Sequence, residues 1–315
     1  MAIVKTEAYF RSTDGKSMIH TLIWRDDEIE PVAILQIAHG FIEYTDRYDR
    51  FARFMAGNGF IVCGNDHIGH GKSVSSEAEL GNFGEPDSDI RMVDDMHLLH
   101  NIMSKKYPSL PYYLLGQNMG SFLARIYAAN FGDELAGLIL SGTSYVGNRL
   151  SVLQDYFYPL GDMIGRDKCN PTVSELFGTI TARMLKEDDT SAWISLSREN
   201  REEADADPYF DFPVTNASAM IIEKALFRSS SEEIIGRIPV ALPVMLISGA
   251  KDIIGLFGRC VTELADKLDT YGINTEVRLY PGLRHEILRE DDNEHIYKDI
   301  LRWTQQNTTQ WSDYI

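Results

Sequence analysis

Cysteine is scarce in this 315-residue chain: Cys63, Cys169 and Cys260 are the only three, odd in number and far apart. That spacing excludes a disulfide framework and a paired zinc-ligand set, and it predicts a reduced, cytoplasmic protein. Basic residues are outnumbered. Lys and Arg total 30 against 47 Asp and Glu, a net charge of −17, which argues against nucleic acid or anionic membrane surfaces as partners. Long apolar runs are missing as well. The longest uncharged stretch, Tyr107 to Ala124, is broken by Pro108, Pro111, Gln117, Asn118 and two glycines, so no stable membrane insertion is expected. Met1 to Glu7 shows no basic segment leading into an apolar one, so no signal peptide is expected either. What remains is ordinary globular material, 44% hydrophobic and 24% charged, without internal repeats or a low-complexity linker.

The order of patterns predicts a mostly parallel α/β sheet with an insertion. Val4–Phe10 and Met18–Trp24 flank Asp14-Gly15, a hairpin signal. Val32–Ala38 is a near-continuous apolar run, as a strand buried on both faces requires. Asp46–Gly57 reads as a helix, Phe60–Cys63 as a strand, and Ile90–Lys106 as a helix ended by Pro108. Tyr112–Leu115 is a strand, Ser121–Asn130 a helix, and Leu138–Leu140 a further strand. Strand–helix alternation resumes at Val244–Ile247, followed by Val261–Leu268, Thr275–Tyr280 and a last helix near His295–Thr304. Between them, helical stretches rich in aromatic residues and Met carry Tyr156, Phe157, Tyr158, Met163, Phe177, Met184, Trp193, Phe210, Phe212, Met220 and Phe227. The expected division is a core of residues 1–142 and 238–315 with a helical cap at 143–237.

The chain lacks one more thing, a serine at position 118. Gly116-Gln117-Asn118-Met119-Gly120 is a G-x-S-x-G nucleophile elbow with asparagine at its centre. The strand before it and the helix after it supply the context such a turn needs. Downstream, Asp252 follows the Val244–Ile247 strand and His285 follows the Thr275–Tyr280 strand. A carboxylate there can orient a histidine, and the histidine can act as general base and acid. Singly, each residue is more often a turn or a packed side chain. In this order behind an elbow they form a catalytic constellation. After the Val32–Ala38 strand, a turn at His39-Gly40-Phe41 places the Phe41 N–H towards the elbow, where the Met119 N–H completes a two-donor oxyanion hole. His39 itself reads as a packed histidine, and Glu43 with Arg47 as a brace for the turn.

These segments resemble a known family. His39-Gly40-Phe41-Ile42-Glu43-Tyr44-Thr45-Asp46-Arg47-Tyr48 is similar to the H-G-x-x-E-x-x-x-R-Y signature of monoacylglycerol lipases, lysophospholipases and serine aminopeptidase-like relatives. Asp66 to Ser73 resembles their D-x-x-G-H-G-x-S loop, and Gly249–Asp252 and Leu283–Glu286 match their acid and histidine segments. The likeness runs over residues 5–142 and 238–307. It implies the α/β-hydrolase fold and Ser–His–Asp hydrolysis of a small-molecule ester, lipid-like among the candidates, with water as co-substrate and no cofactor or metal. Oligomeric state and the pocket-lining cap residues are left open.

The departure is Asn118. An amide is a poor nucleophile, so the chain as written is expected to be inactive or nearly so. Asn tolerates the positive φ of an elbow, and its amide has His285 within prospective reach. Three readings compete. Asn118 replaces the serine of an otherwise active hydrolase. Alternatively, the chain is a natural pseudoenzyme that binds a small lipid-like ligand or a partner. In the third, Ser121 or a water activated by His285 does the chemistry. Retention of Asp252 and His285 favours the first. A peptidase or thioesterase on the same scaffold is a variant of it. Elsewhere, Asp94, Asp95, His97 and His100 fall on one helix and read as a solvated face rather than a metal site, and His67 and His70 read as locally bonded loop residues.

Overall fold

The computed structural model of the chain describes residues 3–147, 165, 167–169 and 179–312. Their strands are β1 Ile3–Arg11, β2 Met18–Asp26, β3 Ala33–Ala38, β4 Phe60–Asn65, β5 Tyr112–Gln117, β6 Gly137–Ser141, β7 Val244–Gly249 and β8 Thr275–Tyr280. They form one sheet in the order β1-β2-β4-β3-β5-β6-β7-β8. β1 pairs antiparallel with β2, and β2 antiparallel with β4; all other pairs are parallel. This is the α/β-hydrolase fold.

Alternation within the strands builds the two layers. Ile34, Leu114, Leu138, Leu140 and Leu246 face one core, and Leu35, Leu115, Ile139, Met245 and Ile247 the other, because neighbouring strand residues point to opposite faces. The first core is covered by α2 (Ser88–Lys106), α3 (Met119–Phe131) and a later helix, Arg259–Thr270. The second is covered by α1 (Asp49–Ala56) and the last helix, Glu294–Ser312. β3 to β7 are buried along their whole length, which explains their predominantly apolar sequences. The β1–β2 hairpin turns at Gly15, φ 73°, and Asp14 Oδ1 accepts from the Lys16 and Ser17 N–H groups at 2.6 and 2.8 Å.

Between β6 and β7 the described elements are helical residues 179–185, α4 (Arg198–Ala206), α5 (Asn216–Ser230) and α6 (Glu232–Ile235). Phe212, Ile221, Ala225, Ile234 and Ile235 join the first core, so this segment packs on the sheet layer. Tyr156, Phe157, Tyr158, Met163 and Phe177 lie outside the described residues.

Some boundaries differ from the sequence reading. Asp46–Gly57 is not one helix. A 3-10 turn, Thr45–Tyr48, precedes α1, because Arg47 and Tyr48 point inward to buried carboxylates. The helix after the elbow starts at Met119, directly behind Asn118, rather than at Ser121. The helical face carrying His97 and His100 is not solvated. Asp95 is buried, accepting from Ser12 Oγ and the Thr13 N–H, each at 2.7 Å. His100 is buried where α2 meets α3, and His97 stacks on Phe131 with centroids 3.7 Å apart. Helix–helix and hairpin packing covers the flanks of α2 that charge alone assigned to water.

Candidate active site

The elbow follows from two glycines. Asn118 has φ 49° and ψ −115°, between the end of β5 and the first residue of α3. A Cβ on Gly116 would lie 2.4 Å from the Gly120 carbonyl oxygen, and one on Gly120 would lie 2.0 Å from that of Ala38. Only glycine allows β5, α3 and the end of β3 to cross so closely. The Asn118 N–H donates to Ser141 O at 3.0 Å, and its carbonyl accepts from the Ser121 N–H at 2.9 Å and from Ser121 Oγ at 2.5 Å. Ser121 Oγ also bonds Thr143 Oγ1 at 2.6 Å and is buried, so it locks the turn and does not face the cleft.

The turn after β3 meets the elbow. The Phe41 N–H points at Asn118 Oδ1, 3.4 Å away. Met119 begins α3, so its N–H is among those an α-helix leaves without an intrahelical acceptor. The Gly40 N–H donates to Glu43 Oε1 at 2.5 Å, and the Tyr48 hydroxyl donates to the same oxygen at 2.8 Å. His39 accepts from the His67 N–H at Nε2, 2.9 Å, and its Nδ1 lies 2.8 Å from Gly40 O. These partners fit a neutral imidazole with Nδ1 protonated, and burial, with His67 and His70 nearby, holds His39 well below its ordinary pKa.

His285 and Asp252 come together from the loops after β8 and β7. His285 Nδ1 lies 3.0 Å from both carboxylate oxygens, and both side chains are buried. Asp252 also accepts from Ser248 Oγ at 3.0 Å and from the Ile254 N–H at 2.9 Å. Burial opposes the charge on each. The pair overcomes it: Asp252 is held below its usual carboxylate range by His285 and Ser248, and His285 is raised above the usual imidazole value by Asp252. Gln117 Nε2 sits 3.5 Å from His285 Nε2 and donates to His285 O at 3.4 Å. The Asn118 amide oxygen turns to Phe41, so the expected Asn118–His285 contact gives way to an Asn118–Phe41 contact.

Behind the site a buried polar network extends the Glu43–Arg47 brace, and its further members went unread in the sequence. Arg47 Nη2 donates to both Glu286 oxygens, at 2.9 and 2.7 Å, and Arg47 Nε lies 3.5 Å from Glu43. Asn200 Nδ2 donates to Glu286 at 3.0 Å, and the Glu286 N–H donates to Ile194 O at 2.8 Å. Glu290 accepts from Ser195 Oγ at 2.8 Å and from the Leu196 and Ser197 N–H groups. Trp193 lies over His285 with centroids 5.5 Å apart. The segment between β6 and β7 is thus tied to the histidine loop. Glu286 directly follows His285 in the segment that resembles the family's histidine motif, but nothing in the sequence pointed to Arg47 as its partner.

Burial raises Glu43 to about 7, with Glu286 adding to the effect. Burial acts the same way on Glu286, but Arg47 and Arg289 hold its carboxyl below the ordinary range.

Known proteins are similar to this chain over most of its length. The family model described as "Serine aminopeptidase, S33" matches residues 29–292. A monoacylglycerol lipase of Mycolicibacterium smegmatis is 24% identical over 306 residues, 95% of this chain and 96% of that protein. A human monoglyceride lipase is 32% identical over 118 residues, 38% of this chain and 37% of that protein. Among solved structures, a thermostable carboxyl esterase from Bacillus coagulans in complex with glycerol superposes with a TM-score of 0.88 at 29% identity. That match covers 98% of this chain and 100% of the other.

Proposed function

Since the chain belongs to the serine aminopeptidase family and is an esterase- and lipase-like α/β-hydrolase, we propose that its scaffold hydrolyses carboxylic esters of the monoacylglycerol kind and that Asn118 stops the reaction. The observation that carries this reading is the aligned, buried His285–Asp252 pair, 3.0 Å apart, which is the base and orienting carboxylate that a nucleophile at position 118 would need.

With a hydroxyl at 118, His285 Nε2 accepts its proton as the oxygen attacks the ester carbonyl. Asp252 holds the imidazole by Nδ1 and stabilises its positive charge. The tetrahedral oxyanion is met by the Phe41 and Met119 N–H groups. Collapse expels the alcohol, which takes the proton from His285, and water repeats the cycle on the acyl-enzyme. An amide at 118 has no proton of that kind to give and no free electron pair on nitrogen. Its oxygen instead accepts the Phe41 N–H, one of the two oxyanion donors.

We take residues 143–237 as the cap that selects substrate. Phe41, Phe83 and Phe212, all part of the first core or packed against it, and Trp193 over His285 make the surroundings apolar, as an acyl chain requires. No described helix is long and apolar enough to cross a membrane. The cysteines are free, two of them buried, in keeping with our proposal of a reducing, cytoplasmic setting.

Ligand binding without turnover has one observation in its favour, the Asn118–Phe41 hydrogen bond that quiets the oxyanion hole. One panel separates the readings. The Asn118→Ser variant is assayed on monoacylglycerols, p-nitrophenyl esters, acyl thioesters and aminoacyl amides. Fastest turnover of the oxygen esters supports the proposal. Amide or thioester preference reassigns the substrate class. A silent, folded variant, beside a chain that binds monoacylglycerol tightly, supports the pseudoenzyme.

A further inference from the structure

Away from the elbow, α2 and the end of α3 bring two imidazoles and a carboxylate to one point. His97 and His100 stand three residues apart on α2, with rings nearly parallel, 11° between planes and centroids 5.5 Å apart. Glu134 lies in the 3-10 turn Gly132–Glu134 that follows α3. Its Oε2 is 3.2 Å from His100 Nδ1 and 3.9 Å from His97 Nδ1. One ligand atom from each residue lies within 4.8 Å of the others. Tetrahedral zinc with bonds of about 2.0–2.2 Å places its ligand atoms roughly 3.3–3.6 Å apart, so a contraction of up to about 1.5 Å closes the set.

The surroundings favour a ligand here. His100 is buried, and among the described residues its Nδ1 makes no well-aligned hydrogen bond although Glu134 Oε2 is 3.2 Å away. Its other nitrogen, Nε2, lies 3.4 Å from Ser104 Oγ. A proton held at Nε2 by Ser104 leaves the Nδ1 lone pair facing Glu134, the arrangement seen around metal-bound histidines. Phe131 stacks on His97 at 3.7 Å and Tyr112 lies 4.2 Å from His100, fixing both rings. Glu134 is 46% exposed at the side chain, so the carboxylate can adjust and water can fill the fourth position. Tyr127 Oη, 3.2 Å from His97 Nδ1, competes for that nitrogen and must release it.

We propose that His97, His100 and Glu134 bind a borderline divalent metal ion, zinc fitting best, that fastens α2 to the end of the helix whose first turn carries the elbow. The sequence alone showed two histidines at i and i+3 with no third ligand; the fold supplies Glu134. The site does not depend on the esterase reading.

Calorimetric titration of the full chain with zinc chloride in a non-chelating buffer tests it. The expected result is one zinc ion per chain, bound at least about tenfold more weakly in Glu134→Gln and His97→Ala, while Tyr127→Phe binds as well or better. The unfolding midpoint should rise by a few degrees with zinc in the parent chain and not in Glu134→Gln. If His97→Ala fails to fold, Glu134→Gln at an exposed carboxylate still decides. Equal zinc affinity in the parent chain and Glu134→Gln would overturn the proposal, as would anomalous scattering that places the ion elsewhere.

Discussion

Replacing Arg47 by Met should unsettle the whole back of the site. The guanidinium is 3% exposed at the side chain, bonds both Glu286 oxygens at 2.9 and 2.7 Å, lies 3.5 Å from Glu43, and has Cζ 4.0 Å from the Phe210 ring centroid. Met keeps most of the volume and removes the charge, leaving Glu286 buried with Asn200, the more distant Arg289 at 3.7 Å and the field of His285. Breaking one side of a buried ion pair costs about 3–5 kcal/mol, and that is the loss expected from urea denaturation at pH 7. The sign with pH follows from Glu286. Its folded pKa is depressed in the parent chain, so its stabilisation is present above the ordinary carboxylate value and lost as pH falls through the folded one. Without Arg47 that carboxyl is no longer held down, so it takes a proton earlier and the gap between parent and variant narrows from pH 7 to pH 5. Arg47→Met/Glu286→Gln should recover much of the loss, since the stranded charge is gone. Glu43→Gln provides the contrast. Burial already raises Glu43 to about 7, and the amide oxygen still accepts from Gly40 and Tyr48, so the cost should be about 1 kcal/mol or less. A loss under about 1 kcal/mol for Arg47→Met at pH 7, in a chain with native circular dichroism, would refute the reasoning. So would a gap that stays constant with pH.

Other consequences can be measured alongside. Burial keeps His39 well below its ordinary pKa, pushes His67 down to about 3 and His70 to about 4. Below the unfolded value of about 6.5 the unfolded chain binds protons these three do not, so together they should lower stability as pH falls from 6 to 4, each by up to about 1.4 kcal/mol per pH unit. His67→Phe should shed about a third of their combined slope, and a slope unchanged by it would count against the assignment. Gly120→Ala, with its Cβ 2.0 Å from Ala38 O, should cost about 3 kcal/mol or prevent folding, read by soluble yield and denaturant midpoint. In the Asn118→Ser chain, kcat/KM should fall as pH drops through a value above the ordinary imidazole pKa, because Asp252 raises His285 and the base must be neutral. An acid limb below that ordinary value would contradict the pairing.

Much of the fold was legible because burial writes itself into strands. β3 to β7 have both faces covered, so each carries a run of apolar residues that marks it as a strand. The elbow was legible from Gly116 and Gly120, whose spacing reflects a backbone crossing that only glycine permits. Asp252 and His285 could be placed because each sits just past a strand end. What stayed hidden depends on contacts distant in sequence. Glu286 meets Arg47 across 239 positions, and Asn200 reaches Glu286 across 86. His100 and Asp95 carry polar labels yet are buried, because α3 and the hairpin cover α2 from its flanks. Glu134 gave no sign in the sequence of facing His97 and His100.

The most direct test of the central claim is labelling by a fluorophosphonate, alongside ester turnover, in the parent chain and in Asn118→Ser. The account predicts stoichiometric covalent labelling of the serine variant at position 118, none of the parent, and a rise in turnover of at least about 10⁴-fold, out of the roughly 10⁶ that an active-site serine is worth. A folded Asn118→Ser chain that neither reacts with the probe nor hydrolyses esters faster than its parent would contradict it.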